Sequence, residues 1–442
     1  MSLFSLGSIR VPHRKNTKDM KARRILPPKT VELLMSQHIG APAEVVVKPG
    51  DKVFVGTLVG EAKAFVSAPV YSSVSGTVKK VDNYLLPNGK TVPSVIIESD
   101  GEATLDPDIK PPVITNYEEL SAAARAAGLV GLGGAGFPTS VKLDPGKVGQ
   151  IDTLLINGAE CEPYITSDTR TMLDELDHVK KGILAVLDFS GVKSCVIGIE
   201  NNKPECIAKI AEIFKDDSRV NVVSLKTQYP QGGEKVLIYN TLGRVVPEGK
   251  LPADVGVIVM NVTTVAALSK YIETGIPLVE KCVTVDGSAI DKPENLIVPI
   301  GTSISCVLEA VDADVDKIGK VMFGGPMMGV AAYTLDAPIM KNTNAIVALN
   351  KKDSKIPSPT PCIHCGRCVA ACPMGLNPTA YAKAMSFSND ADRAEILEKE
   401  KINICMECGC CSFVCPAKRP LVENNKLAKT ALREFNAKKK NG

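Results

Sequence analysis

The feature that most constrains this 442-residue chain is a cysteine pattern written twice. Cys362, Cys365, Cys368 and Cys372-Pro373 follow C-x2-C-x2-C-x3-C-P, and Cys405, Cys408, Cys411 and Cys415-Pro416 repeat it. Three thiolates two residues apart sit on a tight loop that wraps one face of a cuboidal cluster. The fourth, expected at the start of the following helix, points away and ligates the other cluster. One 4Fe–4S cluster is therefore assigned to Cys362, Cys365, Cys368 and Cys415, the second to Cys372, Cys405, Cys408 and Cys411. Cys410 is left as a spare thiol. Each proline keeps its cysteine from folding back, and Gly366 and Gly409 let backbone N–H groups approach the sulfides. Zinc is the competing ligand, but zinc ribbons pair two C-x2-C units and have no use for a third cysteine in register.

Nine of the 14 cysteines lie between residues 362 and 415, whereas Cys161, Cys195, Cys206, Cys282 and Cys306 are scattered. Such clustering in a long chain reads as metal ligation rather than a disulfide scaffold. Only 4% of residues are aromatic and none is Trp, a poor composition for a base-stacking nucleic-acid reader. No apolar run approaches the roughly 18 residues of a membrane span. The longest, residues 255–268, contains Asn261, Thr263 and Thr264 and is read as a buried strand and the turn after it. The start of the chain has no apolar segment of secretory type, so the protein is expected in the cytoplasm. Basic residues gather at both ends, eight Lys/Arg in residues 1–29 and eight in 418–442. These ends are read either as docking tails for an acidic surface or as solvated extensions.

Length alone argues for about three domains. Residues 31–105 carry short alternating strands between Gly/Pro turns, the pattern of a small barrel or sandwich that resembles biotinyl/lipoyl-type domains. Lys63 lacks the preceding Asp of a carrier lysine and is read as an unmodified surface residue. Residues 113–280 alternate helices (118–127, 169–187, 204–214, 234–242) with strands (153–157, 194–200, 220–225, 255–261), implying an α/β layer with a largely parallel sheet. Residues 281–350 suit a small α+β unit, with strands at 281–285, 295–298 and 320–323 and a helix at 303–311. Residues 351–361 form a proline-containing linker to the module at 362–420, whose insert (377–404) predicts two short helices around Asn389-Asp390. Residues 1–30 and 421–442 complete the division as basic extensions.

Gly131-Leu132-Gly133-Gly134-Ala135-Gly136-Phe137-Pro138 contains a literal G-x-G-x-x-G, but a helical stretch precedes it and Phe-Pro follows, so the dinucleotide fingerprint is rejected. What remains is a glycine run whose N–H groups can cradle a phosphate or flavin, with Lys142 as a counter-charge. Three further segments end strands or follow them. They are Asn157-Gly158-Ala159-Glu160-Cys161-Glu162-Pro163, Tyr229-Pro230-Gln231-Gly232-Gly233-Glu234-Lys235 and Asn261-Val262-Thr263-Thr264. Ligands of open α/β sheets bind beyond the carboxyl ends of strands. The alternative for each carboxylate is a buried cap.

Together these segments resemble the flavin- and NADH-binding subunit of respiratory complex I, where G-R-G-G-A-G-F-P holds FMN and N-A-D-E-S-E-P, Y-x-x-G-E-E and N-N-V-E-T complete the site. This chain departs from it at Leu132, Ala159, Cys161, Gly233 and Met260. A closer resemblance covers roughly residues 25–420. Ser36-Gln37-His38-Ile39-Gly40-Ala41-Pro42, Ser67-Ala68-Pro69-Val70, the glycine loop, residues 157–166, a β-grasp-like segment at 281–350 and the double cluster motif look like RnfC. RnfC is the peripheral subunit family of the Rnf ion-translocating ferredoxin:NAD oxidoreductases.

The resemblance implies a multidomain α/β protein: a lipoyl-like β domain, an α/β FMN- and NAD-binding domain, a β-grasp-like domain and a helical two-cluster module. It implies that FMN and NAD(H) are bound by Gly131, Gly133, Gly134, Ala135, Gly136, Phe137, Lys142, Asn157, Glu160, Glu162, Tyr229, Gly232, Gly233, Glu234, Asn261 and Thr264, with no acid–base catalytic residue. The implied partners are other subunits of a membrane redox complex and a ferredoxin or ferredoxin-like subunit. No nucleic acid is implied, and membrane contact comes only through partners at the cytoplasmic face. Two alternatives stand beside this reading: a cobalamin reductase of bacterial microcompartments, and a flavin-less electron wire that only docks partners.

Overall fold

The computed structural model describes residues 6–148 and 150–441. Near the N-terminus two small antiparallel sheets face each other. One orders Thr30–Leu34, Thr91–Ser99, Gly76–Leu85 and Lys52–Val53; the other holds Glu44–Val45, Leu58–Glu61 and Val70–Tyr71. Alternation along Thr30–Leu34 buries Val31 and Leu33, and with Val59, Val78 and Ile97 they fill the space between the sheets. Lys63 is exposed and paired with Glu44 at 2.7 Å.

The central sheet is entirely parallel, in the order Val220–Leu225, Ser194–Glu200, Thr153–Gly158, Val257–Asn261. Helices cover it, and its apolar core is continuous with that of the β domain. Two expectations change here. The region read as one helix breaks at Glu175 into Ser167–Asp174 and Leu176–Ser190. The run read as strand plus turn is a strand only to Asn261. Asn261 then caps a 13-residue helix, Val262–Thr274, by accepting from the Thr263 amide. An apolar run that is buried all round has no periodicity to reveal this switch.

The third body is a six-stranded mixed sheet containing Glu280–Asp286, Glu294–Pro299, Ile318–Phe323 and Ala345–Asn350. Arg23–Arg24 joins its edge beside Leu296 and Ile297. The basic N-terminal segment is therefore no solvated extension. Ile9 exchanges both backbone hydrogen bonds with Tyr229 (2.8 and 2.9 Å), and Lys15 is buried with its ammonium on the carbonyls of Glu160, Glu162 and Ile165. Desolvation lowers the Lys15 pKa to about 8.

The C-terminal expectation changes in the same way. Residues 421–441 form one helix whose Ala428 and Leu432 pack against Tyr381, Ala384 and Leu397 of helices Pro378–Ala384 and Asp390–Lys399. This helix is the core of the cysteine module; Lys426, Lys438 and Lys439 face solvent, whereas Lys429 donates to the Cys405 carbonyl at 3.0 Å and to Glu407 at 2.7 Å.

Helices Leu176–Ser190 and Val262–Thr274 meet at Gly182, where a Cβ would fall 2.0 Å from the Val265 carbonyl oxygen. Backbone cannot yield as a flexible side chain does, so Gly182→Ala is expected to lower stability by about 1–3 kcal/mol. Comparing thermal midpoints of the variant and the native chain under anaerobic conditions checks this.

Candidate functional site

The carboxyl ends of the parallel strands bring the four sequence segments together. The glycine loop closes as a hairpin: Gly131 N donates to Phe137 O at 2.9 Å, and Val130 bridges Pro138. Leu132 N donates to Thr264 Oγ1 at 3.1 Å, which ties the loop to the start of helix Val262–Thr274. Gly133 lies so close to Asn261 that a Cβ would come within 2.3 Å of its side-chain nitrogen. Gly134 faces open space, with nothing within 4 Å of where a Cβ would stand. Asn157 Nδ2 donates to Gly232 O at 2.9 Å, joining the strand end to the Tyr229 turn. Lys142 reaches across to Glu234 (3.2 Å) and the Val259 carbonyl (2.9 Å), so its charge is already shared with a carboxylate.

The result is an exposed Gly133-Gly134-Ala135 edge above the strand ends, with Asn157, Gly232, Glu234 and Asn261 around it. Such a cradle fits a flavin mononucleotide: N–H groups without Cβ atoms allow close approach, and the strand ends are where α/β sheets bind ligands. Phe137 is half-buried at the hairpin's end.

Not every side chain named from sequence turns toward that edge. Glu160 is buried and caps helix Ser167–Asp174, accepting from Asp168 N (2.7 Å), Thr169 N (3.3 Å) and Thr169 Oγ1 (2.5 Å). Burial raises its pKa despite Lys15 and Lys203 nearby. This is the buried-cap alternative realised. Glu162 accepts from Met327 N at 3.1 Å and Met328 N at 2.8 Å, holding the Gly324–Gly329 stretch that follows strand Ile318–Phe323. Desolvation pushes its pKa up to about 7.

Tyr229 differs most from expectation. It is fully buried, and its hydroxyl donates to the Cys408 carbonyl at 2.7 Å. A Cβ on Gly233 would meet Met406 Cε at 2.2 Å, and one on Gly409 would meet Met327 O at 2.9 Å. Ile9, Val11, Tyr229, Ala371, Cys408 and Cys410 form one apolar cluster, with Cys161 and Met406 packed against it. The second cysteine loop is thus seated directly on the Tyr229 turn. Sequence reasoning had no signal for the roles of Ile9, Lys15 and Met327 in this seam, because their partners are hundreds of residues away or backbone atoms.

The eight motif cysteines stand around two cavities. One is lined by the motif cysteines Cys372, Cys405, Cys408 and Cys411, with Cys410 also on its wall, and the other by Cys362, Cys365, Cys368 and Cys415. Each cavity takes three cysteines from one motif and the fourth from the other, the crossed pattern of two-cluster ferredoxins. Among the described residues no three metal-binding side chains converge closely enough for a single ion. Thiolates spaced around a cavity suit a cuboidal cluster better than zinc. The two loops share one backbone: His364 and Gly366, like Glu407 and Gly409, have left-handed φ (54°, 72°, 58°, 77°). One detail departs from the sequence reading, since a short helix (Arg367–Ala370, Cys410–Phe413) precedes each fourth cysteine and none begins at it. Cys410, outside the repeated spacing, is buried against Tyr229.

Removing the Tyr229 hydroxyl leaves the Cys408 carbonyl without its partner, a cost of about 1–3 kcal/mol. Tyr229→Phe is therefore expected to speed backbone hydrogen exchange across residues 405–411 by roughly 5- to 150-fold, leaving residues 362–368 unchanged. Equal exchange in both loops would remove Tyr229 as the latch.

Three family descriptions match the chain: "RnfC Barrel sandwich hybrid domain" over residues 4–102, "Nuo51 FMN-binding domain" over 124–270 and "4Fe-4S dicluster domain" over 361–419. The chain therefore joins FMN-binding and two-cluster iron–sulfur units. Among solved structures it is similar in fold to an NAD+-reducing NiFe hydrogenase (TM-score 0.50, 18% identity), covering 72% of this chain and 63% of that one. It is 43% identical to the RnfC-type subunit of the Na+-translocating ferredoxin:NAD+ oxidoreductase complex of Acetobacterium woodii over 88% of each chain. It is also 43% identical to the corresponding subunit of the proton-translocating complex of Clostridium ljungdahlii, over 80% of this chain and 78% of that one. With the equivalent subunit of the ion-translocating oxidoreductase complex of Rhodobacter capsulatus it shares 37% identity, over 83% and 72%. With such identity over nearly the whole length, the chain belongs to the RnfC family, a subunit family of ion-translocating ferredoxin:NAD oxidoreductase complexes.

Proposed function

We propose that this chain is the NAD(H)-facing electron-transfer subunit of an ion-translocating ferredoxin:NAD oxidoreductase, working with the other subunits of that complex. The observation that supports this reading is the seating of the Cys405–Cys411 loop on the Tyr229 turn, where Met406 meets Gly233, next to the Gly232 carbonyl that accepts from Asn157 at the strand end. FMN, when bound, exchanges two electrons with NAD(H) and single electrons with iron–sulfur clusters. The chain's own task is placement. Gly133, Gly134 and Ala135 offer backbone N–H groups, Asn157 and Asn261 fix the strand ends, and the Lys142–Glu234 pair holds the glycine loop to the Tyr229 turn. Glu160 and Tyr229 act from behind, one as a helix cap and one as the latch to Cys408. Glu162 secures the Met327 loop over the same seam.

On this reading the cavity of Cys372, Cys405, Cys408 and Cys411 holds the inner cluster. The cavity of Cys362, Cys365, Cys368 and Cys415 holds the outer one, where Cys365, Ile363 and Val369 are exposed. The domains proposed are 31–105, 113–280, 281–350 and a cluster module running from 362 through the helix ending at 441. Among the described residues no helix is long and apolar enough to cross a membrane. Attachment to the cytoplasmic face through partner subunits follows from where NAD(H) and ferredoxin occur.

Anaerobic purification with iron, sulfide and FMN quantified on one sample, followed by NADH titration in the visible range, tests the reading. Two full clusters per chain, bound FMN and bleaching by NADH are expected; clusters without flavin or NADH response would leave only an electron wire. Crossed ligation makes a sharper prediction. Cys415→Ser should abolish the paramagnetic signal of the outer cluster and spare the inner one, whereas ligation within each motif would give the reverse.

A further inference from the structure

A third cavity, of about 670 Å3, lies where the β domain, the parallel-sheet helices and the six-stranded sheet meet. It borders the candidate site at Leu132 and Thr263, but its walls do not include Gly133, Gly134, Asn157 or the Tyr229 turn. Val55 and Leu105 close it from the β domain, Thr171 and Ala267 from the helices, Cys282 and Ile297 from the six-stranded sheet, and Leu278 from the loop before that sheet. Leu129 and Leu132, on the glycine hairpin, form its inner end. The volume lies in the range of small-molecule sites.

Its chemistry is specific. Lys281 reaches the inner end and is 3% exposed, yet its ammonium has a single hydrogen-bond partner, the Leu132 carbonyl at 2.6 Å. Two of its three N–H groups have no acceptor among the described residues. The nearby carboxylate of Asp168 does not supply one: its oxygens accept from Asn261 Nδ2 (2.7 Å) and Thr263 Oγ1 (2.6 Å). Every other cation on the walls is matched. Lys270 pairs with Glu175 at 2.6 Å, and Arg24 pairs with Glu280. His178 faces Ser269 and Glu273. A buried ammonium short of partners in an apolar chamber is costly until an anion meets it, and desolvation lowers its pKa to about 8.

We propose that this cavity binds a monoanionic amphipathic molecule of the medium-chain carboxylate class, its carboxylate on Lys281 and its apolar chain along Leu129, Ala267, Leu278 and Ile297. One unmatched cation selects one negative charge, which disfavours phosphate dianions and nucleotides. Leu26 and Leu105, exposed on the walls beside the Arg24–Glu280 pair, give a hydrocarbon tail an apolar path to the surface. Because the same ammonium holds the Leu132 carbonyl, occupancy is felt in the glycine hairpin through one hydrogen bond.

The test is calorimetric titration of the holoprotein with decanoate, and with decylammonium as the chain-matched control of opposite charge. One-site binding of decanoate and none of decylammonium is expected. Lys281→Met should weaken decanoate by at least about tenfold, the loss of a charge-assisted hydrogen bond. Ala267→Phe, which fills the chamber and leaves the ammonium in place, should abolish binding. No decanoate binding, equal binding of decylammonium, or unchanged binding in both variants would each overturn the proposal.

Discussion

Everything distinctive about this protein depends on one contact, the seating of the Cys405–Cys411 loop on the turn that begins at Tyr229. The hydrogen bond from the Tyr229 hydroxyl to the Cys408 carbonyl is buried, so neither partner has water as an alternative. Around it, Ile9 pairs with the Tyr229 backbone, Met406 fills the space a side chain on Gly233 would need, and Met327 leans on Gly409. A ferredoxin-like module tethered by the linker at 351–361 would otherwise sample many positions. These contacts give it one, beside the strand ends that carry the candidate flavin edge.

The glycine hairpin is the complementary node. Its Leu132 amide is held by Thr264 and its Leu132 carbonyl by Lys281. Farther along, the Gly136 carbonyl accepts from Ile39 of the β domain at 3.1 Å, and the Gly134 carbonyl from Asn342 at 3.3 Å. Three bodies thus fix a loop that has almost no side chains of its own to pack. Rigidity imposed from outside is what a cofactor-positioning loop needs, since glycine alone supplies access without order.

The parts legible in the sequence were those with local physical signatures. The repeated cysteine spacing gave the crossed pairs around the two cavities, and alternating helix and strand patterns gave the parallel sheet. Strand ends at Asn157 and Asn261 brought the glycine hairpin its neighbours. Three things stayed hidden. The helix Val262–Thr274 lies in an apolar run without visible periodicity. The basic ends looked like solvated tails, because lysines on the outer side of Leu421–Asn441 mask a buried stripe through Ala428 and Leu432, and because Lys15 finds its acceptors on backbone carbonyls. Glu160 and Tyr229 stand at motif positions yet turn inward, a choice made by long-range packing that spacing cannot encode.

The order of the two clusters is the claim on which this account rests, and freeze-quench paramagnetic resonance after mixing with NADH tests it most directly. The native chain would be compared with Cys408→Ala, which removes an inner-cluster ligand, and Cys365→Ala, which removes an outer one. The account predicts that Cys408→Ala leaves the outer cluster oxidised over the interval in which the native chain reduces it, whereas Cys365→Ala leaves inner-cluster reduction at the native rate. Native-rate reduction of the outer cluster in Cys408→Ala would contradict it, because electrons would then reach Cys362–Cys368 without passing the loop that Tyr229 holds.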